Sequence, residues 1–142
     1  MPRITASLTR GTEVTISNGR HTWRVDEPVD KGGTDTGPTP YEMLLGSLAS
    51  CTAVTLSLYA QHKGIELEGL EAEYEYDRVH ADDCQDCEAE TTGFIDRIQS
   101  SVRITGSFDE AQRKRLTQIV SRCPVHKTLE NRVHVVDRVE FA

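Results

Sequence analysis

The sequence predicts a single α+β domain, and three patterns support that fold class. Apolar residues alternate with polar ones over the first 27 residues, as they do in β-strands. They then recur at intervals of three and four from Tyr41 to about Lys63, as they do on one face of a helix. Alternation returns near residue 67, and a second helix follows Asp109. No linker or repeat divides the 142 residues, which is an ordinary length for one domain.

The N-terminal segment is predicted to form a small β-meander. Gly11 interrupts the alternation once, and Asn18-Gly19 then supplies a strong hairpin signal. Residues 28–40 contain three glycines and three prolines, so we expect a loop there. The alternating apolar residues are Ile4, Ala6, Leu8, Val14, Ile16, Trp23 and Val25.

The first helix has clear predicted ends and an unusual middle. Thr39 is suited to the N-cap, Pro40 to the first helical position and Glu42 to a capping box with Thr39. Gly64 is suited to the C-terminal stop. Between residues 46 and 53, six of the eight side chains are very small. This composition predicts close packing, most simply against another long helix.

The second half is predicted to alternate between strands and helices. We expect strands at about 67–80 and 94–106, then a helix capped by Asp109 that runs to about Arg122. A short helix beginning at Pro124 is possible by composition. Residues 132–141 are predicted to return to strand, because Val133, Val135 and Val139 alternate with polar residues.

The net charge of −7 is concentrated in one segment. Eleven carboxylates and one arginine lie between Glu66 and Glu90, giving −10 there and +3 elsewhere. The segment is interpreted as a solvated strand face followed by a loop. An acidic chain argues against binding nucleic acid or an anionic membrane surface. No run approaches the roughly 20 apolar residues of a spanning helix. We therefore expect a cytosolic protein.

Cysteines in the cytosol are usually reactive, metal-binding or simply buried, rather than paired in structural disulfides. Cys51 lies about ten residues into the first helix, where position alone favours a small core residue. Cys123 precedes Pro124, which disfavours helical geometry at Cys123. Cys123 is therefore either near a helix cap, where N–H groups favour a thiolate, or buried at the end of a helix that Pro124 terminates.

Cys84 and Cys87 form a C-x-x-C pair inside the acidic segment, four residues after His80. One such pair is half of a zinc site, and the sequence contains no second pair at the required spacing. A local disulfide or opportunistic metal binding is favoured over a dedicated metal centre. No metal site is predicted elsewhere.

Two stretches together resemble the cysteine motifs of the OsmC/Ohr family, the osmotically inducible and organic hydroperoxide resistance proteins. They are GPTPYEMLLGSLASCTAVTL at 37–56 and RCPVHKTLENRV at 122–133. The loop DEPVDKGGTDTGPTPYE and the insertion HADDCQDCE resemble a less characterised OsmC-like branch.

The resemblance implies an OsmC-like fold in an intertwined homodimer, with two long helices packed at its centre. It also implies thiol peroxidase chemistry, in which Cys51 attacks a hydroperoxide and Cys123 resolves the product as a disulfide. An external dithiol would restore both thiols, and no cofactor is expected.

The family supports its reactive thiolate with an arginine held by a glutamate. Arg20 in SNGRH resembles the family's Gly-Gly-Arg element, and Arg24 is the alternative. The family's Asn-Pro-Glu places its acid at Tyr41, so Glu42 stands one position late. On one straight helix Glu42 and Cys51 lie about 13.5 Å apart along the axis and on opposite faces. Glu42 is therefore expected either to contribute from a partner chain or to serve only the capping box.

Two classes of function remain open from the sequence, beside a third possibility that the C-x-x-C pair carries a structural metal. The first is a dimeric hydroperoxide reductase that prefers organic peroxides. The second is a non-enzymatic OsmC-like module that binds a small apolar ligand or senses oxidation through Cys51 and Cys123.

Overall fold

The computed structural model describes residues 1–80 and 93–142, and it confirms the α+β fold class. The described residues divide into two compact units, Met1–Gly46 and Ser47–Ala142. The first helix crosses the boundary between them. The elements are β1 (Thr5–Leu8), β2 (Val14–Ser17), β3 (Thr22–Val25), α1 (Pro40–Lys63), β4 (Gly69–His80), β5 (Phe94–Thr105), α2 (Glu110–Val120) and α3 (Pro124–Glu130).

The first unit contains the predicted meander. Strands β1, β2 and β3 are antiparallel neighbours in that order, and Ile16 at the centre faces Ala6 on one side and Trp23 on the other. Asn18 forms the predicted hairpin turn, because its side-chain oxygen accepts the backbone N–H groups of Arg20 and His21. Within the loop that follows, Val29–Lys31 form a single 3-10 turn.

Helix α1 begins and ends where the sequence predicts. The Thr39 hydroxyl accepts the Glu42 N–H at 3.2 Å, and the Glu42 carboxylate accepts the Thr39 N–H at 3.0 Å. This is a complete capping box. At the other end, Gly64 adopts a left-handed φ of 67°, and the Ile65 N–H donates to the Ala60 carbonyl. The helix buries one face at a spacing of four residues, formed by Leu48, Thr52, Leu56 and Ala60.

Helix α1 is also long and apolar enough, by length and composition alone, to cross a membrane, with a mean hydropathy of 1.5 in its best window. The expectation that no segment approaches such a composition is therefore wrong for α1. The expectation considered only apolar residues. The serines and threonines of this helix are not apolar, but they add no charge and leave its mean hydropathy high. The Ser50 hydroxyl donates a hydrogen bond to the Ser47 carbonyl, and the Thr52 hydroxyl donates one to the Leu48 carbonyl. Length and composition do not separate a spanning helix from a core helix.

In the second unit, helices α1 and α2 pack on one face of the β4–β5 ribbon. Leu56 of α1 meets Leu116 and Ile119 of α2 in a buried cluster. The ribbon contributes partly buried side chains to it from Leu70, Val102 and Ile104. The carboxylates of β4 are exposed, as at Glu71, Glu73 and Glu75, so the predicted solvated strand face is observed.

Helix α2 is capped by Asp109, as the sequence predicts. The Asp109 carboxylate accepts the Gln112 N–H, and the Gln112 side chain accepts the Asp109 N–H, which makes a second capping box. The helix ends at Val120, two residues before the predicted end. The short helix at Pro124 is present as α3.

The predicted strand at 132–141 is not formed in this structure. Residues 132–142 have no regular secondary structure and are exposed. A strand exists only where a neighbour accepts and donates its backbone hydrogen bonds, and within 1–80 and 93–142 this segment pairs with no other strand. The predicted strand is therefore wrong for the single chain, because the alternation of Val133, Val135 and Val139 does not by itself supply a hydrogen-bonding partner.

Candidate functional site

Cys51 lies in the middle of α1, as its twelfth residue, and is half-buried with a free thiol. Its neighbour in sequence, Thr52, points into the protein and is only 1% exposed. Successive side chains leave a helix about 100° apart, so Cys51 lies on the flank of the buried face.

Cys123 lies between α2 and α3 and is completely buried, also as a free thiol. Pro124 begins α3, and Cys123 before it has the extended φ and ψ of −66° and 145° that a following proline favours. The Cys123 sulfur caps α3 by accepting the His126 N–H at 3.3 Å. Both sequence interpretations of Cys123 therefore hold, since it is at a helix cap and buried.

Thr52 brings the two cysteine motifs together. Its hydroxyl lies 3.6 Å from the Cys123 sulfur, although the two residues are 71 positions apart. The same hydroxyl donates to the Leu48 carbonyl at 3.1 Å and accepts the Tyr74 hydroxyl at 2.9 Å. Helix α1, strand β4 and the α2–α3 junction thus meet at one buried oxygen. Neither Thr52 nor Tyr74 was singled out from the sequence, because only the fold brings them to Cys123.

A cavity of about 220 Å³ opens beside this cluster. Tyr74 and His126, which connect to Thr52 and Cys123, are both in its wall. The His126 ring lies 2.7 Å from the Glu130 carboxylate, one turn further along α3. The apolar part of the wall consists of Leu48, Ile98, Val120 and Leu129, and the remaining polar residues are Asp96 and Ser100. The cavity is therefore suited to a small organic molecule that carries both apolar and polar groups.

Glu42 is in the first turn of α1, where it serves the capping box. The hydrogen bond from the Thr39 backbone N–H, followed by that from the Thr39 hydroxyl, holds the pKa of the Glu42 carboxyl below its ordinary value. Glu42 is therefore ionised at neutral pH and engaged with its own helix. The capping duty expected from the sequence is observed, and a contribution from a partner chain stays a prediction.

Arg20 lies in the exposed turn between β2 and β3, in the first unit. Arg24, the alternative, is on β3, and its Nε lies 3.8 Å from the Glu13 carboxylate oxygen Oε1. Cys51 belongs to the second unit. The support of Cys51 by either arginine therefore stays a prediction.

The first unit contains a buried carboxylate that the sequence did not indicate. Asp26 is 1% exposed and accepts hydrogen bonds from three threonine hydroxyls and three backbone N–H groups. Those from Thr12 and Thr34 are the main reason that its pKa lies far below the ordinary value, against the opposing effect of burial. Thr36 supplies another. The available signal in the sequence was the pair of threonines in Thr34-Asp35-Thr36 of the glycine-rich loop, both of which bind Asp26.

Cys84 and Cys87 lie outside the described residues, so the predictions for them stay open. Among residues 1–80 and 93–142, no group of three or more His, Cys, Asp or Glu side chains is arranged to hold a metal ion.

Comparison with known proteins explains why the two cysteine motifs occur together. A family profile for OsmC-like proteins matches residues 33–136, which include both cysteines and most of the chain. The chain belongs to the OsmC-like family. The predicted resemblance is therefore confirmed at the level of the family.

Solved structures with the same fold agree with this assignment. An OsmC-like protein from Mycoplasma pneumoniae is 26% identical, with a TM-score of 0.71 over 92% of this chain and 87% of that one. Organic hydroperoxide resistance protein OhrB of Bacillus subtilis is 20% identical, with a TM-score of 0.59 over 90% of this chain and 89% of that one. At that identity, the likeness to OhrB shows the fold alone.

A relative among curated sequences is the uncharacterized protein YmaD of Bacillus subtilis (strain 168). It is 36% identical over 61 residues, which are 43% of this chain and 41% of YmaD. The matched part thus spans less than half of that relative, whose name states no activity.

Proposed function

We propose that this OsmC-like protein is a thiol-dependent hydroperoxide reductase in oxidative stress defence. Cys51 is the attacking cysteine and Cys123 the resolving cysteine. The main supporting observation is the 3.6 Å approach of the Cys123 sulfur to Thr52, the residue that follows Cys51. It means that the second cysteine is held against the helical turn that carries the first. Family membership supports the same chemistry.

The proposed cycle uses only the two thiols, a peroxide and an external dithiol. The Cys51 thiolate attacks the terminal peroxide oxygen, so that the O–O bond breaks, an S–O bond forms and the alcohol leaves with a proton. The Cys123 thiolate then attacks the sulfur of the resulting sulfenic acid and releases water once a proton is added. The dithiol reduces the disulfide in two exchange steps and is itself oxidised.

The cavity beside Cys123 supports an organic substrate. Four of its wall residues are aliphatic, and burying a hydrocarbon group against them is favourable by about 25 cal/mol per Å². Hydrogen peroxide carries no such group. We therefore expect the enzyme to prefer organic hydroperoxides over hydrogen peroxide.

Arg20 and Glu42 are proposed to assist as the family pattern implies. Arg20 would supply the positive charge that a thiolate at Cys51 needs, because the start of α1 is more than two turns away. Glu42 binds the Thr39 N–H through Oε1. A contribution beside Cys51 would therefore use its other carboxylate oxygen, from the partner chain of a homodimer.

A homodimer is proposed because α1 carries apolar surface that the single chain leaves exposed. Val54 and Leu58 are each more than half exposed on this helix. A methyl group added at Gly46 would meet no atom of residues 1–80 and 93–142 within 4 Å, so nothing in the described part of the single chain requires glycine there. Close approach of a second α1 would account for both features. We expect the dimer to act in the cytosol, where thiols are kept reduced.

The test is consumption of cumene hydroperoxide in the presence of a dithiol, with Cys51→Ser as the decisive variant. We expect wild type to consume the peroxide and Cys51→Ser to fall to the rate measured without protein. A Cys84→Ser/Cys87→Ser double variant is the matched control, because it also removes thiols but leaves the proposed site intact. Equal consumption by wild type and Cys51→Ser would show that the assigned nucleophile is wrong.

The alternative function is a non-catalytic module that binds a small apolar ligand or senses oxidation, and the cavity is the observation that favours it. In that case Cys51 and Cys123 would form a disulfide once per molecule with no turnover under excess dithiol. A single stoichiometric burst of peroxide loss would select this alternative over the reductase.

A further inference from the structure

The hydrogen bonds around Thr52 depend on whether Cys123 carries a proton. A threonine hydroxyl has one hydrogen to donate and two lone pairs that accept. Here the hydrogen goes to the Leu48 carbonyl, and one lone pair accepts the Tyr74 hydroxyl. The remaining lone pair faces Cys123. The bonding is complete when the thiol of Cys123 donates to it.

Loss of the thiol proton changes what the same hydroxyl must do. A buried thiolate needs donors, and the His126 N–H at 3.3 Å supplies one. The Thr52 hydrogen can supply a second by rotating from the Leu48 carbonyl toward the sulfur. The cost at Leu48 is small, because a carbonyl inside a helix also accepts the backbone N–H four residues later. Tyr74 can continue to donate to Thr52 in either state.

We propose that Thr52, oriented by Tyr74, is a positioning residue that stabilises the Cys123 thiolate for its attack on the sulfur of Cys51. This inference rests on the proposed function, because it assigns the resolving role to Cys123. Thr52 gives up its bond to Leu48 as Cys123 loses its proton, and returns to it when the disulfide has formed. The buried sulfur thus donates to Thr52 as a thiol and receives a second donor when it must act as the nucleophile.

The experiment isolates the attack of Cys123 from peroxide chemistry. In a Cys84→Ser/Cys87→Ser background, the half-exposed Cys51 is loaded with Ellman's reagent to give a mixed disulfide with thionitrobenzoate. The Cys123 thiolate then attacks the Cys51 sulfur, the bond to thionitrobenzoate breaks, a Cys51–Cys123 bond forms, and coloured thionitrobenzoate leaves. Its release rate measures the attack directly.

We expect Thr52→Val to slow the release about tenfold or more, because a hydrogen bond to a charged group is lost. Thr52→Ser keeps the hydroxyl and should restore most of the rate. Tyr74→Phe should slow it severalfold, since Thr52 is then less well oriented. The matched control is Thr117→Val, because Thr117 makes the same bond to a carbonyl four residues earlier but on an exposed face of α2. Its release rate should equal that of the background protein.

The outcomes separate this inference from the proposed function. Release at the background rate in both Thr52→Val and Tyr74→Phe would overturn the role of Thr52. An absence of release in the background protein would overturn it together with the resolving role of Cys123. Thr52-dependent release in a protein that consumes no peroxide would support the inference while rejecting the reductase. Thr52→Val with slow release that Thr52→Ser does not restore would indicate a packing effect and overturn the proposal.

Discussion

Asp26 and Glu42 show how differently two carboxylates can be used by one chain. Both have a lowered pKa, and in both the cause is hydrogen bonding to neighbouring N–H and hydroxyl groups. Glu42 satisfies the exposed start of a helix, whereas Asp26 is buried and joins the meander to the glycine-rich loop. The second arrangement couples the folding of the loop to the charge of one residue.

Asp26 should therefore make the free energy of unfolding depend on pH. In the unfolded chain an aspartate titrates near pH 3.9, and the folded value is lower, so its contribution is complete above about pH 5 and is lost as the pH falls further. We expect Asp26→Asn to be less stable than wild type at pH 7, because the amide group faces donors. The difference in the free energy of unfolding should shrink between pH 5 and pH 2.

Urea unfolding at several pH values measures this difference. Asp30→Asn is the matched control, since Asp30 is an exposed carboxylate in the same unit. If the difference in the free energy of unfolding between wild type and Asp26→Asn stays constant with pH, the lowered pKa of Asp26 does not contribute to stability as proposed.

At the scale of elements, the glycine-rich loop is fixed by close backbone contacts. A Cβ on Gly33 would lie 1.9 Å from the Glu27 carbonyl oxygen, and one on Gly37 would lie 2.3 Å from that of Arg24. Real Cβ atoms do not approach a backbone oxygen so closely. Gly33 and Gly37 therefore reflect packing between chain segments, a reason that composition alone did not give.

We expect Gly33→Ala to destabilise the protein by about 1–3 kcal/mol, as overpacking of a rigid site does. The matched control is Gly69→Ala on β4, where the added methyl group would make only an ordinary contact of 3.9 Å with Thr105. That variant should be unchanged or gain about 0.5–1 kcal/mol from lower chain entropy. Thermal or urea unfolding of the two proteins gives the comparison, and equal stabilities would show that the loop can move aside.

At the scale of the whole molecule, the exposed segment 132–142 bears on the proposed homodimer. Its alternating residues Val133, Val135 and Val139 are all more than half exposed in the single chain. Exposed alternating apolar residues on an unpaired segment are suited to addition onto the edge of another sheet. A second copy of the chain would provide such an edge and bury one face of the segment.

Adjacent valines allow this to be tested at matched positions. Val135 lies on the alternating face and Val136 on the opposite one. If the segment becomes a strand in the dimer, Val135→Lys should shift sedimentation equilibrium toward the monomer, because a charge would be buried. Val136→Lys should leave the dimer nearly intact. Equal effects of the two substitutions, or a monomeric wild type, would reject the proposed arrangement.

The sequence by itself determined the local structure and the family. Several local features depend only on neighbouring residues and could therefore be predicted from the sequence. They are the helix caps at Thr39 and Asp109, the hairpin at Asn18, the helix end at Gly64 and the extended geometry before Pro124. The two cysteine motifs were recognisable for the same reason.

Only the tertiary structure decided which distant groups meet. Three contacts join residues that are far apart in the chain. Thr52 contacts Cys123, the Tyr74 hydroxyl donates to Thr52, and threonines from separate segments bind Asp26. Segment 132–142 shows the complementary limit, because its pattern predicted a strand while the hydrogen-bonding partner is not encoded in the pattern. Local order follows from side-chain spacing, whereas contacts across the fold depend on how whole elements pack.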